Sequence, residues 1–239
     1  CDGASVPSLN FSSTPAGATF TWINSNTAIG LGASGAGTIS AFTATNSGAS
    51  TQISTITVTP TLAGCTGNTS SFSIDVHPIP SFTLPANQSI CGGSIVAANN
   101  LVSVPSGATF NWTNSASSIG LAANGSGNVP SFTAVNNGTS SITANISITP
   151  ILNGCSGASN QYSITVNPEP SVTLPANQTV CDGVTINAGN FTSTPAGATY
   201  SWTNSNTSIG LSASGIGNTP SFTSFKTSTT VQSAHITVT

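Results

Sequence analysis

The stretch Ala18-Thr19-Phe20-Thr21-Trp22, running on to Ile29-Gly30-Leu31, constrains this chain more than any other feature because it occurs three times. It returns as Ala108-Thr109-Phe110-Asn111-Trp112 with Ile119-Gly120-Leu121, and again as Ala198-Thr199-Tyr200-Ser201-Trp202 with Ile209-Gly210-Leu211. Trp22, Trp112 and Trp202 set a spacing of 90 residues, and no insertion or deletion breaks the phase. A fixed period of this kind marks a tandem array. Whatever one copy folds into, the other two must fold into as well.

The 239 residues thus make nearly three modules, each near the usual size of a domain. Only 2% of the residues are charged, namely Asp2, Asp75, Glu169, Asp182 and Lys226. Solubility therefore falls to Ser, Thr, Asn and Gln. A net charge of -3 leaves no basic patch to displace counterions from phosphate, which excludes nucleic acid as a partner. The scarcity of Glu, Lys and Met removes the residues that build surface helices. No apolar run reaches membrane-spanning length, so no membrane insertion is expected. No signal peptide precedes Cys1, and the repeat phase is cut within a module at both ends. The sequence reads as a piece of something longer.

Ala18, Phe20 and Trp22 alternate with Thr19 and Thr21, a period of two that places one apolar face on a strand. The same alternation occurs at Ile56 and Val58, at Ile146 and Ile148, and at Ile236 and Val238. It also occurs at Phe72-Ile74-Val76 and Tyr162-Ile164-Val166, with shorter stretches at Phe82–Leu84, Val172–Leu174, Phe42–Ala44 and Phe132–Ala134. Pro15-Ala16-Gly17 and its copies are turn chemistry, and Ala63-Gly64-Cys65 and Asn153-Gly154-Cys155 read as hairpin turns. About seven short strands per module around a buried Trp predict an Ig-like β-sandwich. The expected fold is all-β: tandem Ig-like modules arranged end to end. Module 1 is expected over 1–78 with its first strand missing, module 2 complete over 79–168, and module 3 over 169–239 with its last strand missing. Pro78-Ile79-Pro80 and Pro168-Glu169-Pro170 would stiffen the joins.

Cys-x-Gly, then Thr-Trp or Asn-Trp, then Gly-Cys-x-Gly, then Val-x-Pro-x-Pro together resemble the PKD-like and Ig-like repeats of large secreted and surface proteins of Bacteroidota. Gliding-motility adhesins exported by the type 9 route are among these. The resemblance covers the whole chain and implies an extracellular, cell-surface location. PKD domains proper carry an acidic segment after the Trp, whereas Trp22 is followed by Ile23-Asn24-Ser25; a role tied to those acids does not carry over.

Cys1, Cys91 and Cys181 share one repeat position, and Cys65 and Cys155 share another. Without a Cys-x-x-Cys pair these are disulfide candidates rather than metal ligands. Two pairings are open. Spacing alone suggests Cys1 with Cys65 and Cys91 with Cys155, within modules, and this is slightly favoured. An Ig topology would place those two positions at opposite ends of a module, too far for Cα atoms roughly 4.4–6.8 Å apart. Cys1 would then meet Cys155 of the next module and clamp the junction.

Gly30-Leu31-Gly32-Ala33-Ser34-Gly35 matches a dinucleotide fingerprint, but no helix follows and the other copies lose the pattern. His77 and His235 recur in no other copy, and the four acids are scattered, so neither a triad nor a carboxylate pair is expected. Asp2 and Asp182 share a phase but module 2 has Gly92 there, so no acidic calcium site recurs. Trp22, Trp112 and Trp202, with Phe20, Phe110 and Tyr200, are expected in the core rather than as sugar platforms. The expected function is a non-enzymatic stalk or filament segment of a large adhesin, with no cofactor, catalytic residue or metal. Its expected partners are neighbouring repeats, with surface polysaccharide or identical chains as further ones. The competing readings are an accessory or glycan-binding module of a secreted hydrolase, and a fibre assembled by strand donation.

Overall fold

Residues 1–225 and 229–239 are described by a computed structural model; Lys226 lies outside them. The described residues form β-strands and three single-turn 3-10 helices, with no α-helix. The modules are Ig-like β-sandwiches. Packing divides the chain into two compact units, one of Cys1–Gln88, Ile95–Phe132 and Ala144–Ile164, the other of Ser89–Ser94, Thr133–Thr143 and Thr165–Thr239.

Each module is built around its Trp strand: Thr19–Asn24, Thr109–Asn114 and Ser201–Asn204. In module 1 that strand lies between Ser34–Ala36 and the long strand Gln52–Leu62, which also pairs with Cys65–Thr66 and Ser70–Val76. Module 2 repeats the arrangement with Asn124–Ser126, Ile142–Leu152 and Cys155–Ser156. Module 3 has Ser214–Ile216 and Ile236–Val238. The opposite layer in module 1 is a short ladder of Ser5–Val6 with Phe42–Thr43, extended by a bridge from Leu9 to Ile39. Module 3 has its counterpart, Thr185–Ile186 with Phe222–Thr223.

The period-two pattern places the core as the pleat requires. Along Thr19–Asn24 the side chains of Trp22 and Asn24 are buried while Thr21 and Ile23 face out. Trp22 meets Ile29, Leu31, Ile39, Ile56 and Val58 inside the sandwich. The three tryptophans lie opposite Gly35, Gly125 and Gly215 on the edge strand. A Cβ on Gly35 would fall 2.3 Å from the Trp22 ring, so only glycine lets the indole lie flat against the neighbouring backbone. Ile29-Gly30-Leu31 ends a 3-10 turn, where Gly30 at φ 89° donates its N–H to Thr27 and turns the chain so that Ile29 and Leu31 both enter the core. Ala63 and Gly64, at φ 49° and 83°, form the two-residue turn between Leu62 and Cys65. Positive φ at both positions is what a hairpin of matching twist demands.

Candidate functional site at the first module junction

The first junction lies wholly within one compact unit, and it is where chain elements distant in sequence converge. Pro78 and Pro80 are buried, while Ile79 between them is 44% exposed. The hairpin of module 2 packs onto this linker: a Cβ on Gly157 would lie 2.0 Å from the Pro80 carbonyl oxygen and 2.8 Å from the Pro150 ring. No residue but glycine fits there. The N–H of Gly157 donates to the carbonyl of Pro150 at 2.8 Å, which holds the hairpin arm in place.

A disulfide closes the same junction. It joins Cys1 to Cys155, with Cα atoms 5.6 Å apart. The within-module pairings Cys1 with Cys65 and Cys91 with Cys155, slightly favoured by spacing, are therefore wrong. Cys65, Cys91 and Cys181 are exposed thiols. The strand register gives the reason. The N–H of Asp2 donates to the carbonyl of His77 at 2.9 Å, and Gln52 pairs with Val76, so Cys1 sits at the Gln52 end of the sheet. Cys65 pairs with Leu62 at the other end of the same strand. Ten residues of strand at about 3.3 Å each separate the two ends. Only the next module's hairpin comes within reach, and there Cys155 is buried to 1% exposure.

The remaining candidates are structural. Trp22, Trp112 and Trp202 are buried, and their indole N–H groups have no hydrogen-bond partner among the described atoms. Phe110 is buried with them, and Phe20 and Tyr200 are half-buried. Phe20 packs on Phe11, Phe110 on Phe82, and Tyr200 on Phe191. Nδ1 of His77 lies 2.8 Å from the Thr51 hydroxyl, and Asn167 at the same repeat position accepts from Ser141 at 2.7 Å, so the two side chains do the same local job. His235 is exposed. The Asp2 carboxylate accepts the N–H of Asn46 at 2.8 Å, tying down the loop beside Cys1. Among the described residues no three His, Cys, Asp or Glu side chains form a metal-holding group, and no helix is long and apolar enough to cross a membrane.

Sequence reasoning missed the buried amides. Asn24 donates to Leu31 at 2.8 Å and Gly32 at 3.1 Å, and accepts from the Asn26 N–H and the Ser54 hydroxyl. Asn114 donates to Leu121 and accepts from Ala116 N–H, and Asn204 does the same with Leu211 and Asn206. Asn46 and Asn136 bind the last strand, donating to Val76 and Val166 at 2.7 Å each. Every buried amide here finds its partners within its own module, mostly backbone and, for Asn24, also the Ser54 hydroxyl, as burial requires. The signal was available: Asn recurs unchanged at 24, 114 and 204.

The pattern of the PKD-like domain family matches residues 1–80 and 88–170. The chain belongs to that family. No curated protein matches this PKD-like chain. Among solved structures, the mouse cadherin-23 fragment EC22-24 aligns over 87% of the chain and 76% of its own length, at 10% identity and a TM-score of 0.34. Extracellular cadherin domains 1-4 of protocadherin gamma B7 align over 94% of the chain at 8% identity and a TM-score of 0.33. The PKD-like chain spans 58% of the length of that protocadherin structure. At these scores the likeness adds nothing to the fold already described.

Proposed function

We propose that this PKD-like array is a non-catalytic stalk or filament segment of a long, repetitive extracellular adhesin. Its task is mechanical: to set the reach of a distal binding region and hold it against shear, in surface attachment or in gliding motility of a Bacteroidota cell exporting through the type 9 route. The observation that carries the reading is the first junction, where a two-proline linker, a hairpin from the next module and a disulfide converge. A covalent bond across a linker serves stiffness and has no use in a site that must open for substrate. The buried Asn side chains at the repeat positions support the same reading, since their partners lie within their own module.

The test is the intact mass of the native protein from the producing cells. Hundreds of kilodaltons built of the same repeat are expected. A modest mass with a non-repetitive catalytic domain would favour the accessory-module reading instead. That alternative also predicts that polysaccharide shifts the fluorescence of exposed Trp, which the buried indoles should not show.

A second reading, fibre assembly by strand donation, has its own support. Module 3 carries an open groove of about 420 Å³ lined by Ile209, Leu211, Phe222, Ile236 and Val238. Module 1 carries another of about 500 Å³ beside Phe11, Phe20 and Phe72. Concentration-dependent fibres of the 239-residue chain under reducing conditions would establish it; a monomer at all concentrations would remove it.

A further inference from the structure

The surroundings of Cys1 are reproduced at Cys91, in the other compact unit. At Cys1, the N–H of Asp2 donates to His77 at 2.9 Å, the N–H of Gly3 to Ala44 at 2.8 Å, and the N–H of Ala4 back to Cys1 at 3.2 Å. At Cys91, the N–H of Gly92 donates to Asn167 at 2.8 Å, the N–H of Gly93 to Ala134 at 2.8 Å, and the N–H of Ser94 back to Cys91 at 3.3 Å. The acceptors are repeat equivalents in each case, and Gly3 and Gly93 share a φ near 71° and 81°. The backbone thus presents the two sulfurs in the same way. One is bridged and the other is an exposed thiol.

The hairpin half shows what completion does. Cys65 and Cys155 occupy the same turn, yet Cys65 is exposed while Cys155 is buried, bonded to Cys1 in a hairpin that rests on the Pro80 linker. The linkers differ in the same sense: Pro78 and Pro80 are buried, while Pro168 is half-buried and Pro170 exposed.

We propose that Cys91 is the opening half of a second junction bridge, completed by the cysteine of a Gly-Cys-x-Gly hairpin carried one repeat beyond Cys155. The rule is that each opening cysteine is joined to the hairpin cysteine of the following module, 154 residues on as in the bridge observed. Repeats that follow the rule are covalently laced to the next at every junction. Bridge formation removes two thiol protons and two electrons. A low-molecular-weight disulfide such as oxidised glutathione takes them up and leaves as two thiols. The inference does not rest on the adhesin reading and stands or falls separately from it.

The test is to extend the chain past Thr239 with a copy of residues 150–168, so that module 3 gains a hairpin and a last strand. The extended chain is oxidised with glutathione and peptide-mapped without reduction. The added cysteine is expected in a cross-linked peptide with Cys91, with Cys181 still a thiol. A bond from the added cysteine to Cys181, or an added cysteine left free, overturns the proposal. The natural-length chain provides a second check that needs no extension. In Cys155→Ser, Cys1 loses its inter-module partner, and the rule predicts that it does not turn to Cys65 under the same oxidation. A Cys1-to-Cys65 bridge in that variant overturns the rule directly.

Discussion

The two linkers of this chain occupy the same repeat position and have reached different states. Pro78-Ile79-Pro80 is gripped: its prolines are buried, the Gly157 backbone rests on Pro80, and Cys1 is bonded to Cys155. Pro168-Glu169-Pro170 is less covered, with Pro168 half-buried, Pro170 exposed and Cys91 a thiol. The proline chemistry is shared, so proline alone does not make a closed joint. What grips the first linker is the module 2 hairpin, through Gly157 and Cys155.

The largest effect on this contrast is expected from the bridge. Cys155→Ser should lower the stability of the first unit by up to about 5 kcal/mol, the chain-entropy limit for a loop of this length. Cys91→Ser should change it by less than about 0.5 kcal/mol, as for an ordinary exposed site. Guanidinium unfolding of both variants measures the difference, and equal losses would erase the distinction between the linkers. Next comes the contact beneath the bridge. Gly157→Ala forces a methyl into the Pro80 carbonyl and should cost about 3 kcal/mol. In Gly67→Ala the new methyl would press on the Pro60 ring at 3.1 Å and touch the Pro60 carbonyl oxygen only at 3.7 Å, and the cost should stay below about 1 kcal/mol. Thermal melts of the pair decide it.

Asn114→Ala is a control inside module 2. It strands the Leu121 carbonyl and the Ala116 N–H, and should cost about 2 kcal/mol with the bridge intact by peptide mapping. Loss of the bridge would show that the junction depends on this loop.

The smallest effect separates modules 1 and 2 through one repeat position. Phe72 is 37% exposed, while Tyr162 is 1% exposed and its oxygen accepts from Asn99 at 2.9 Å. Burial raises the Tyr162 phenol above its ordinary value, the Asn99 bond offsetting part of this. The unfolded phenol ionises near pH 10 and the folded one higher. This stabilising preference for the neutral phenol is full below pH 10 and is lost as pH rises through the folded value. Tyr162→Phe should flatten that alkaline loss in urea titrations taken at increasing pH; an unchanged profile would place the titration elsewhere.

The strands were legible because period-two alternation and a buried face are the same physical statement. Trp22, Ile56 and Val58 enter the core as the pattern requires. The Ala63-Gly64 turn was legible from its chemistry. The junction was legible only as the less favoured of two open pairings. Cys1 and Cys155 are 154 residues apart, and nothing local at either position records that the hairpin leans on Pro80. The spacing within one module was shorter and drew the pairing the wrong way, although strand length already argued against it. Gly157 looked like any turn glycine, since its constraint comes from another module's linker. Asn24, Asn114 and Asn204 were visible as an unvaried column but were passed over among so many polar residues.

The Cys1–Cys155 bond also decides where tension runs. A pulling force that enters at Cys1 crosses directly from residue 1 to residue 155. Module 1 and most of module 2 are then bypassed and bear none of it. Some 154 residues, about 500 Å of extended chain at 3.3–3.6 Å per residue, stay stored behind one covalent bond. Breaking that bond by reduction would pass the load to the folded modules, so the redox state of the medium sets whether the bond or the folded sheets bear it.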